Sequence, residues 1–188
     1  DCIYAIIDRR RKFPATLLLR AIGYSSNKDI LEAFGLTGTF KISNKKNLVN
    51  KTLMEDLVNT ETGEVLDESG LTITEDKLIE WKKVGISELT VAAKEESLEV
   101  QMLKNTMDKD PTKSSAEALM LLYQHLRTGE APTLDVASKF VEKMFFSTKK
   151  YDLGAVGRYR INKKFDLHAP IEEPILIKDD FLHVFQYL

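Results

Sequence analysis

Cysteine and histidine are scarce in this 188-residue chain, and their scarcity excludes several kinds of site. The single cysteine, Cys2, permits neither an intramolecular disulfide nor a zinc ribbon, and it favours a reducing, intracellular setting. The histidines, His125, His168 and His183, are scattered, and no His, Cys or Asp cluster has the spacing of a metal site. The sequence therefore predicts no disulfide and no metal centre.

Long apolar runs are also missing. No stretch approaches the roughly 18 apolar residues that a membrane-spanning helix needs, and the first residues lack the basic leader of a signal peptide. We therefore expect no membrane association. The chain has no initiating Met, opens inside an apolar run and ends on an apolar helix face, which indicates a segment of a longer protein.

Signals for catalysis are weak. The stretch Gly154-Ala155-Val156-Gly157 is too short for a phosphate-binding loop and does not follow a strand and turn. Cys2 has no nearby base, and the many acidic residues of 51–110 alternate along surfaces instead of pairing in an apolar setting. We predict that this segment carries no catalytic residue.

Charge, by contrast, is strongly partitioned along the chain. Residues 1–50 carry nine Lys/Arg and four Asp/Glu, whereas residues 51–110 carry seven and fifteen. Residues 139–164 are basic again, with eight Lys/Arg and two Asp/Glu. If the acidic middle is an insertion, the two basic segments can meet in space, and the net charge of −2 conceals their common face.

Hydrophobic periodicity predicts an α+β fold, in which a mainly helical lobe domain is interrupted by a small β-rich module. We place the helical domain at residues 1–39 and 94–188 and the inserted module at residues 40–93. Helices are expected at residues 14–22, 26–34, 74–84, 95–107, 116–127 and 133–145, and from 178 or 179 onward. A buried strand is expected at residues 2–7, with further strands at 39–42, 53–58 and 86–92 and a hairpin at 59–66. The two glycines in residues 151–162 predict a non-helical segment there.

Residues 7–14 contain the most unusual run of charge, an aspartate followed by four bases: Asp8, Arg9, Arg10, Arg11 and Lys12. Adjacent cations repel each other and cost side-chain entropy to order. One interpretation is a solvated turn that happens to be basic. The other is recognition of phosphates or base edges, because guanidinium groups are forks of hydrogen-bond donors. Arg158 and Arg160, on either side of Tyr159, add a second group of such donors.

Three blocks of sequence resemble the lobe region of the β subunit of bacterial DNA-directed RNA polymerase, and they come in that family's order. They are residues 7–21, beginning Ile-Asp-Arg-Arg-Arg-Lys-Phe-Pro-Ala-Thr; residues 128–133, Thr-Gly-Glu-Ala-Pro-Thr; and Phe-Phe-Ser at 145–147 leading to Tyr-Asp-Leu-Gly-Ala-Val-Gly-Arg at 151–158. The resemblance covers residues 3–165. Residues 40–93 resemble, more loosely, an insertion that this lobe carries in some bacterial lineages.

The resemblance implies a segment of a nucleotidyltransferase that copies a DNA template into RNA. It implies no cofactor in this segment, since the Mg²⁺ of the whole enzyme is held by another subunit. The implied partners are DNA, the other polymerase subunits (β′, α and ω) and a sigma factor, and the implied location is the bacterial cytoplasm, at the nucleoid. In this family the lobe is one wall of the cleft that holds downstream DNA and the unpaired non-template strand.

Candidate nucleic-acid contacts follow from the matching motifs that face this cleft. They are Asp8, Arg9, Arg10, Arg11, Lys12, Asp152, Arg158 and Arg160. The two aspartates cannot bind phosphate, so they would accept from base amino groups or hold the arginines in place, and we favour the second role. The alternative function is a protein-docking module that binds transcription factors through the acidic insertion.

Overall fold

The structure, a computed structural model, describes residues 1–7, 11–59, 62–93, 97–127, 132–150 and 152–188. Over these residues the chain has the predicted α+β fold, about half helical with small antiparallel sheets. In chain order its elements are β1 (Tyr4–Ile7), β2 (Arg11–Pro14), α1 (Ala15–Ile22), α2 (Asn27–Ala33), β3 (Thr37–Lys41), α3 (Lys45–Leu48), β4 (Leu57–Val58), β5 (Val65–Asp67), α4 (Glu75–Lys83), β6 (Glu88–Ala92), α5 (Leu98–Lys109), α6 (Ser115–Leu126), α7 (Leu134–Phe145), α8 (Gly154–Phe165) and α9 (Lys178–Tyr187). No helix in the described ranges is both long enough and apolar enough to cross a membrane.

The chain divides into two compact units, and each is described separately. The smaller unit contains Ser26–Asn105 together with Asp1, and the larger unit contains Cys2–Ser25 and Thr106–Leu188. The expected module at residues 40–93 lies inside the smaller unit, which reaches further at both ends. It stays a prediction that residues 40–93 are an insertion and that the rest of the chain folds without them.

The smaller unit is built around the antiparallel pair β3–β6, in which Thr37 lies opposite Ala92. α4 begins where predicted, because the Oγ1 of Thr74 accepts a hydrogen bond from the backbone N–H of Lys77 at 3.4 Å. Trp81 is buried, and its indole N–H donates to a carboxylate oxygen of Asp67 at 2.8 Å. Around it lies the core of this unit: Ile42, Leu48, Leu53, Leu57, Ile73, Leu78, Leu89 and Val91.

Deletion of residues 40–93, with a short Gly linker in their place, is expected to leave the helical body folded. The deletion removes the end of β3 and all of β6, the strands on which the chain enters and leaves the module, and it keeps every residue of the larger unit. Far-UV circular dichroism during urea unfolding checks this. A broad, non-cooperative transition in the shortened chain would contradict the insertion model.

The larger unit is organised around α1, in which every residue is buried. Its sequence is apolar on nearly all sides, as expected for a helix surrounded by others, and it packs against α6, α7 and α9. Pro14 precedes the helix as its N-cap instead of lying in its first turn, and Gly23 ends it with a φ of 122°. The helix predicted from periodicity is thus present and central.

Two polar residues of α1, Thr16 and Arg20, are buried, and both donate hydrogen bonds to the same buried carboxylate. Asp110 accepts from the hydroxyl of Thr16 at 2.8 Å and from the Nε of Arg20 at 3.2 Å. It also accepts from the backbone N–H and the hydroxyl of Thr112, at 2.9 and 2.6 Å. Because the paired groups satisfy one another, α1 is joined to the segment after α5 by a buried polar cluster.

The prediction of a non-helical segment at residues 151–162 is wrong, since α8 begins at Gly154 and runs through Gly157. A glycine inside a helix costs only about 1 kcal/mol relative to alanine, and packing against α9 offsets it. At Gly157 an added Cβ would lie 3.2 Å from the Cβ of Leu153, closer than most side-chain contacts. The glycine there serves close packing within a helix, not a loop.

Two strand predictions also need correction. β1 pairs with β2, but the strand is not buried, because Ile6 is 63% exposed and Tyr4 38% exposed. The strand expected at residues 53–58 is limited to β4, and Leu53 forms only an isolated bridge to Val91. At β1, β-branched and aromatic residues raise strand propensity without fixing burial, and at residues 53–58 only Val58 is of these types.

Candidate nucleic-acid interface

The first basic group is only partly visible, because Asp8, Arg9 and Arg10 lie outside the described residues. Arg11 and Lys12 belong to β2 and not to a solvated turn. The guanidinium of Arg11 donates to the backbone carbonyl of His125, and the Nζ of Lys12 lies 4.0 Å from the centroid of the Tyr4 ring. Both cations are held on the surface strand by the larger unit, with the Lys12 side chain exposed.

Arg158 does not belong to a nucleic-acid-binding surface, which corrects its prediction as a contact. Its side chain is fully buried, at 0% exposure. Its Nη1 donates to both carboxylate oxygens of Asp180, at 2.7 and 2.9 Å, and its Nε donates to the carbonyl of Glu173 at 3.2 Å. The carbonyl of Ile175 accepts from Nη2. The arginine thus joins α8 to α9 and to the segment between them.

Arg160, two residues further along α8, is exposed. Residues two apart on a helix are separated by about 200° of rotation, so one arginine points inward and the other outward. Tyr159 is 53% exposed, and Lys163 and Lys164 extend the basic surface to the end of α8. The structure therefore separates the predicted pair and leaves Arg160 as the accessible member.

Asp152 has a local structural role. Its Oδ1 accepts from the backbone N–H of Gly154 at 2.8 Å, at the start of α8. The first N–H groups of a helix have no intrahelical acceptor, so this carboxylate stabilises the helix start. The carboxylate that holds an arginine in place is Asp180, which the sequence did not single out.

A surface cavity of about 420 Å³ brings together cations from three separate parts of the larger unit. Arg127 follows α6, Lys143 lies on α7, and Lys150 precedes α8, and all three are exposed. The remaining lining residues are apolar and form its floor: Ile7, Leu126, Phe140 and Met144. We call this the α6–α7 cavity.

None of the described residues that line the α6–α7 cavity carries a carboxylate. The guanidinium carbon of Arg127 lies 5.4 Å from the centroid of the Phe140 ring, a cation–π contact that leaves its charge available. Lys139, one turn before Lys143 on α7, differs, because it pairs with Asp135 at 2.8 Å. That hydrogen bond raises the pKa of Lys139. The described lining residues therefore present three cations and no anion, which suits a polyanion.

Sequence reasoning located the basic segment at residues 139–164 but did not select Lys143 or Lys150, and it missed Arg127. One local signal was present, because Phe140 and Met144 are four residues apart on an apolar helix face and Lys143 lies beside them. Convergence of the three cations needs the packing of α6 on α7, which no local signal reports. Among the described residues, no group of three His, Cys, Asp or Glu side chains could hold a metal ion.

The family model described as "RNA polymerase Rpb2, domain 2" matches residues 1–188. This chain therefore belongs to the RNA polymerase Rpb2 domain 2 family. Among curated relatives, the DNA-directed RNA polymerase subunit beta of Flavobacterium psychrophilum is 39% identical over 205 residues, which are 99% of this chain and 16% of that protein.

The subunits beta of Bacteroides fragilis and Cytophaga hutchinsonii are 37% and 38% identical, each over 100% of this chain and 16% of their own length. The chain thus spans about a sixth of the curated relatives that it matches. These matches bear out the polymerase β-subunit resemblance that the three sequence blocks indicate.

Proposed function

We propose that this chain is the part of a DNA-directed RNA polymerase β subunit that forms a section of the DNA cleft wall and contacts downstream or non-template DNA. Support for the first part comes from relatives of that name at 37–39% identity along the whole chain. On this proposal the chain positions DNA, and the nucleotidyl transfer is carried out by the whole enzyme. The other polymerase subunits and a sigma factor are its proposed protein partners.

One observation carries the contact with DNA. Three residues that line the α6–α7 cavity lie at the three sequence blocks shared with the family: Ile7 opens the first, Arg127 directly precedes the second, and Lys150 lies between the two parts of the third. Residues far apart in sequence are thus gathered around one positively charged opening. The run Arg9–Lys12 begins two residues after Ile7, so its charge adds to the same part of the sequence.

The division of charge between the units favours the same role. The larger unit contains seventeen Lys/Arg and thirteen Asp/Glu, whereas the smaller unit contains ten and sixteen. Although the whole chain has a net charge of −2, the larger unit is therefore net positive, as binding to DNA phosphates requires. The cations of the α6–α7 cavity would bind phosphates, and its apolar floor would contact bases that are not paired in a duplex.

Removal of the cavity cations is expected to weaken binding to a fluorescent forked DNA. Each phosphate contact contributes about 0.7 to 0.9 to the slope of log K against log salt, so Arg127→Ala/Lys143→Ala/Lys150→Ala should reduce that slope by about 2. Arg11→Ala should reduce it by less than 1. Fluorescence anisotropy across a salt series measures both effects.

Lys139→Ala is the matched control, because it removes a lysine from the same helix one turn away from the cavity. The slope of log K against log salt should differ from that of the unsubstituted chain by no more than the loss of one positive charge outside the site would cause. An equal loss in Lys139→Ala and Lys143→Ala would mean that only total charge matters. Binding that is insensitive to salt, or unchanged by the triple substitution, would count against direct contact.

A further inference from the structure

The smaller unit has a surface pocket of its own, about 470 Å³ in volume, between α4 and the segment around α3. Ile42 and Leu78 are buried in its floor, and Ile79 is 46% exposed at its edge. Ser43 and three lysines with long cationic side chains, Lys45, Lys82 and Lys83, also line it. We call this the α4 pocket.

The charge of the α4 pocket is opposite to that of the unit that contains it. The smaller unit has six more acidic than basic residues, yet none of the described residues that line this pocket carries a carboxylate. Lys45 is paired with Glu75 at 3.2 Å, but no ion pair among the described residues involves Lys82 or Lys83. These two lysines are exposed in the last turn of α4, where the helix dipole favours positive charge. The pocket therefore attracts a negatively charged group.

The lining also distinguishes between two kinds of anionic partner. Single-stranded nucleic acid binds through aromatic platforms and arginine forks, and the described lining of the α4 pocket includes no aromatic residue and no arginine. Its floor is aliphatic, which suits an aliphatic or aromatic side chain inserted from a helix. The surrounding lysines then fit carboxylates that flank such a side chain.

We propose that the α4 pocket is a docking site for an acidic amphipathic helix of a partner protein. An apolar side chain of that helix enters between Leu78 and Ile79, and its Asp or Glu residues meet Lys82 and Lys83. The proposal does not depend on the DNA contact proposed above, because the two pockets belong to different units. From the sequence, transcription factors were expected to bind the acidic surface of the insertion. Here the partner binds a basic pocket of the same module instead.

The probe is a fluorescein-labelled helical peptide with Leu at positions i, i+3, i+4 and i+7 and Glu at the others, titrated with the full 188-residue chain. Saturable binding is expected, and Lys82→Glu/Lys83→Glu should weaken it by about tenfold or more. Lys163→Glu/Lys164→Glu is the matched control, since these lysines also occupy the last turn of an exposed helix. It should change the affinity by less than about twofold.

Two further measurements keep the result decisive. A peptide with Lys in place of Glu should bind the Lys82→Glu/Lys83→Glu variant better than it binds the unsubstituted chain. In the unsubstituted chain, the acidic peptide should shift the NMR methyl signals of Ile42, Leu78 and Ile79. The proposal would be overturned if the peptide did not bind saturably or if both pairs of substitutions weakened its binding equally. It would also be overturned if oligothymidylate displaced the peptide and shifted the same methyl signals.

Discussion

Arg158→Ala is expected to lower the free energy of unfolding by about 3–5 kcal/mol, the typical cost of removing one partner of a buried ion pair. The carboxylate of Asp180 would stay buried at 2% exposure, with the backbone N–H of Ile177 as its remaining donor at 2.8 Å. The carbonyls of Glu173 and Ile175 would lose their donor as well. Urea unfolding followed by circular dichroism measures the loss, and hydrogen exchange in α8 and α9 locates it.

Two variants make the Arg158 prediction specific. Arg160→Ala removes the same side chain from the exposed face of α8 and should change stability by no more than about 0.5 kcal/mol. Arg158→Met/Asp180→Leu removes both charges and should regain much of the lost stability, because an apolar pair avoids the desolvation cost. Equal effects of Arg158→Ala and Arg160→Ala would refute the buried position of Arg158.

Asp110→Ala is expected to cost a similar amount, about 3–5 kcal/mol. The carboxylate is fully buried and accepts from Thr16, Arg20 and Thr112, so its loss leaves a buried guanidinium beside two hydroxyls with fewer acceptors. Arg20 still donates to the carbonyl of Ser25 at 2.6 Å, which retains part of its hydrogen bonding. Urea unfolding measures the difference in free energy.

Asp108→Ala provides the control, since this aspartate is exposed on α5 two residues earlier in the chain. It should be nearly neutral, within about 0.5 kcal/mol. Asp110→Asn keeps the size of the side chain and some acceptor capacity, so it should cost less than Asp110→Ala. A near-neutral Asp110→Ala would mean that this cluster does not stabilise α1 in the larger unit.

Elements with local signals were predictable from the sequence. α2 begins after its N-cap Ser26, whose hydroxyl accepts from the N–H of Asp29 at 3.0 Å while Asp29 accepts from the N–H of Ser26 at 2.9 Å. α7 begins after Thr133, whose hydroxyl accepts from the N–H of Val136. Such caps involve residues only three apart, so sequence spacing alone identifies them.

Elements decided by tertiary packing were not predictable. Nothing local distinguishes Arg158 from Arg160, because the acceptors that hold Arg158 in its buried position lie 15 to 22 residues further along the chain. α8 itself forms despite its glycines, with α9 packed against its Arg158 side. A basic motif can thus contain both a buried structural arginine and an exposed one. The sequence identifies the motif but not which arginine is which.

The candidate interface shows the same limit. The basic segments and the family were recognisable from the sequence, because runs of charge and the order of motifs are properties of the linear chain. The α6–α7 cavity was not, since Arg127, Lys143 and Lys150 are brought together by helix packing. Arg160 stays the accessible member of the second basic group, and the three cations of the cavity are additional candidates.

Photo-crosslinking in a reconstituted polymerase tests the cleft-wall role most directly. With benzoylphenylalanine in place of Met144, in the floor of the α6–α7 cavity, we predict crosslinks to the downstream or non-template strand of a promoter complex. The same amino acid in place of Val136, exposed at the start of α7 and absent from the cavity lining, is the control and should give few DNA crosslinks. Crosslinks from Met144 to protein alone, or equal DNA crosslinking from both positions, would contradict the account.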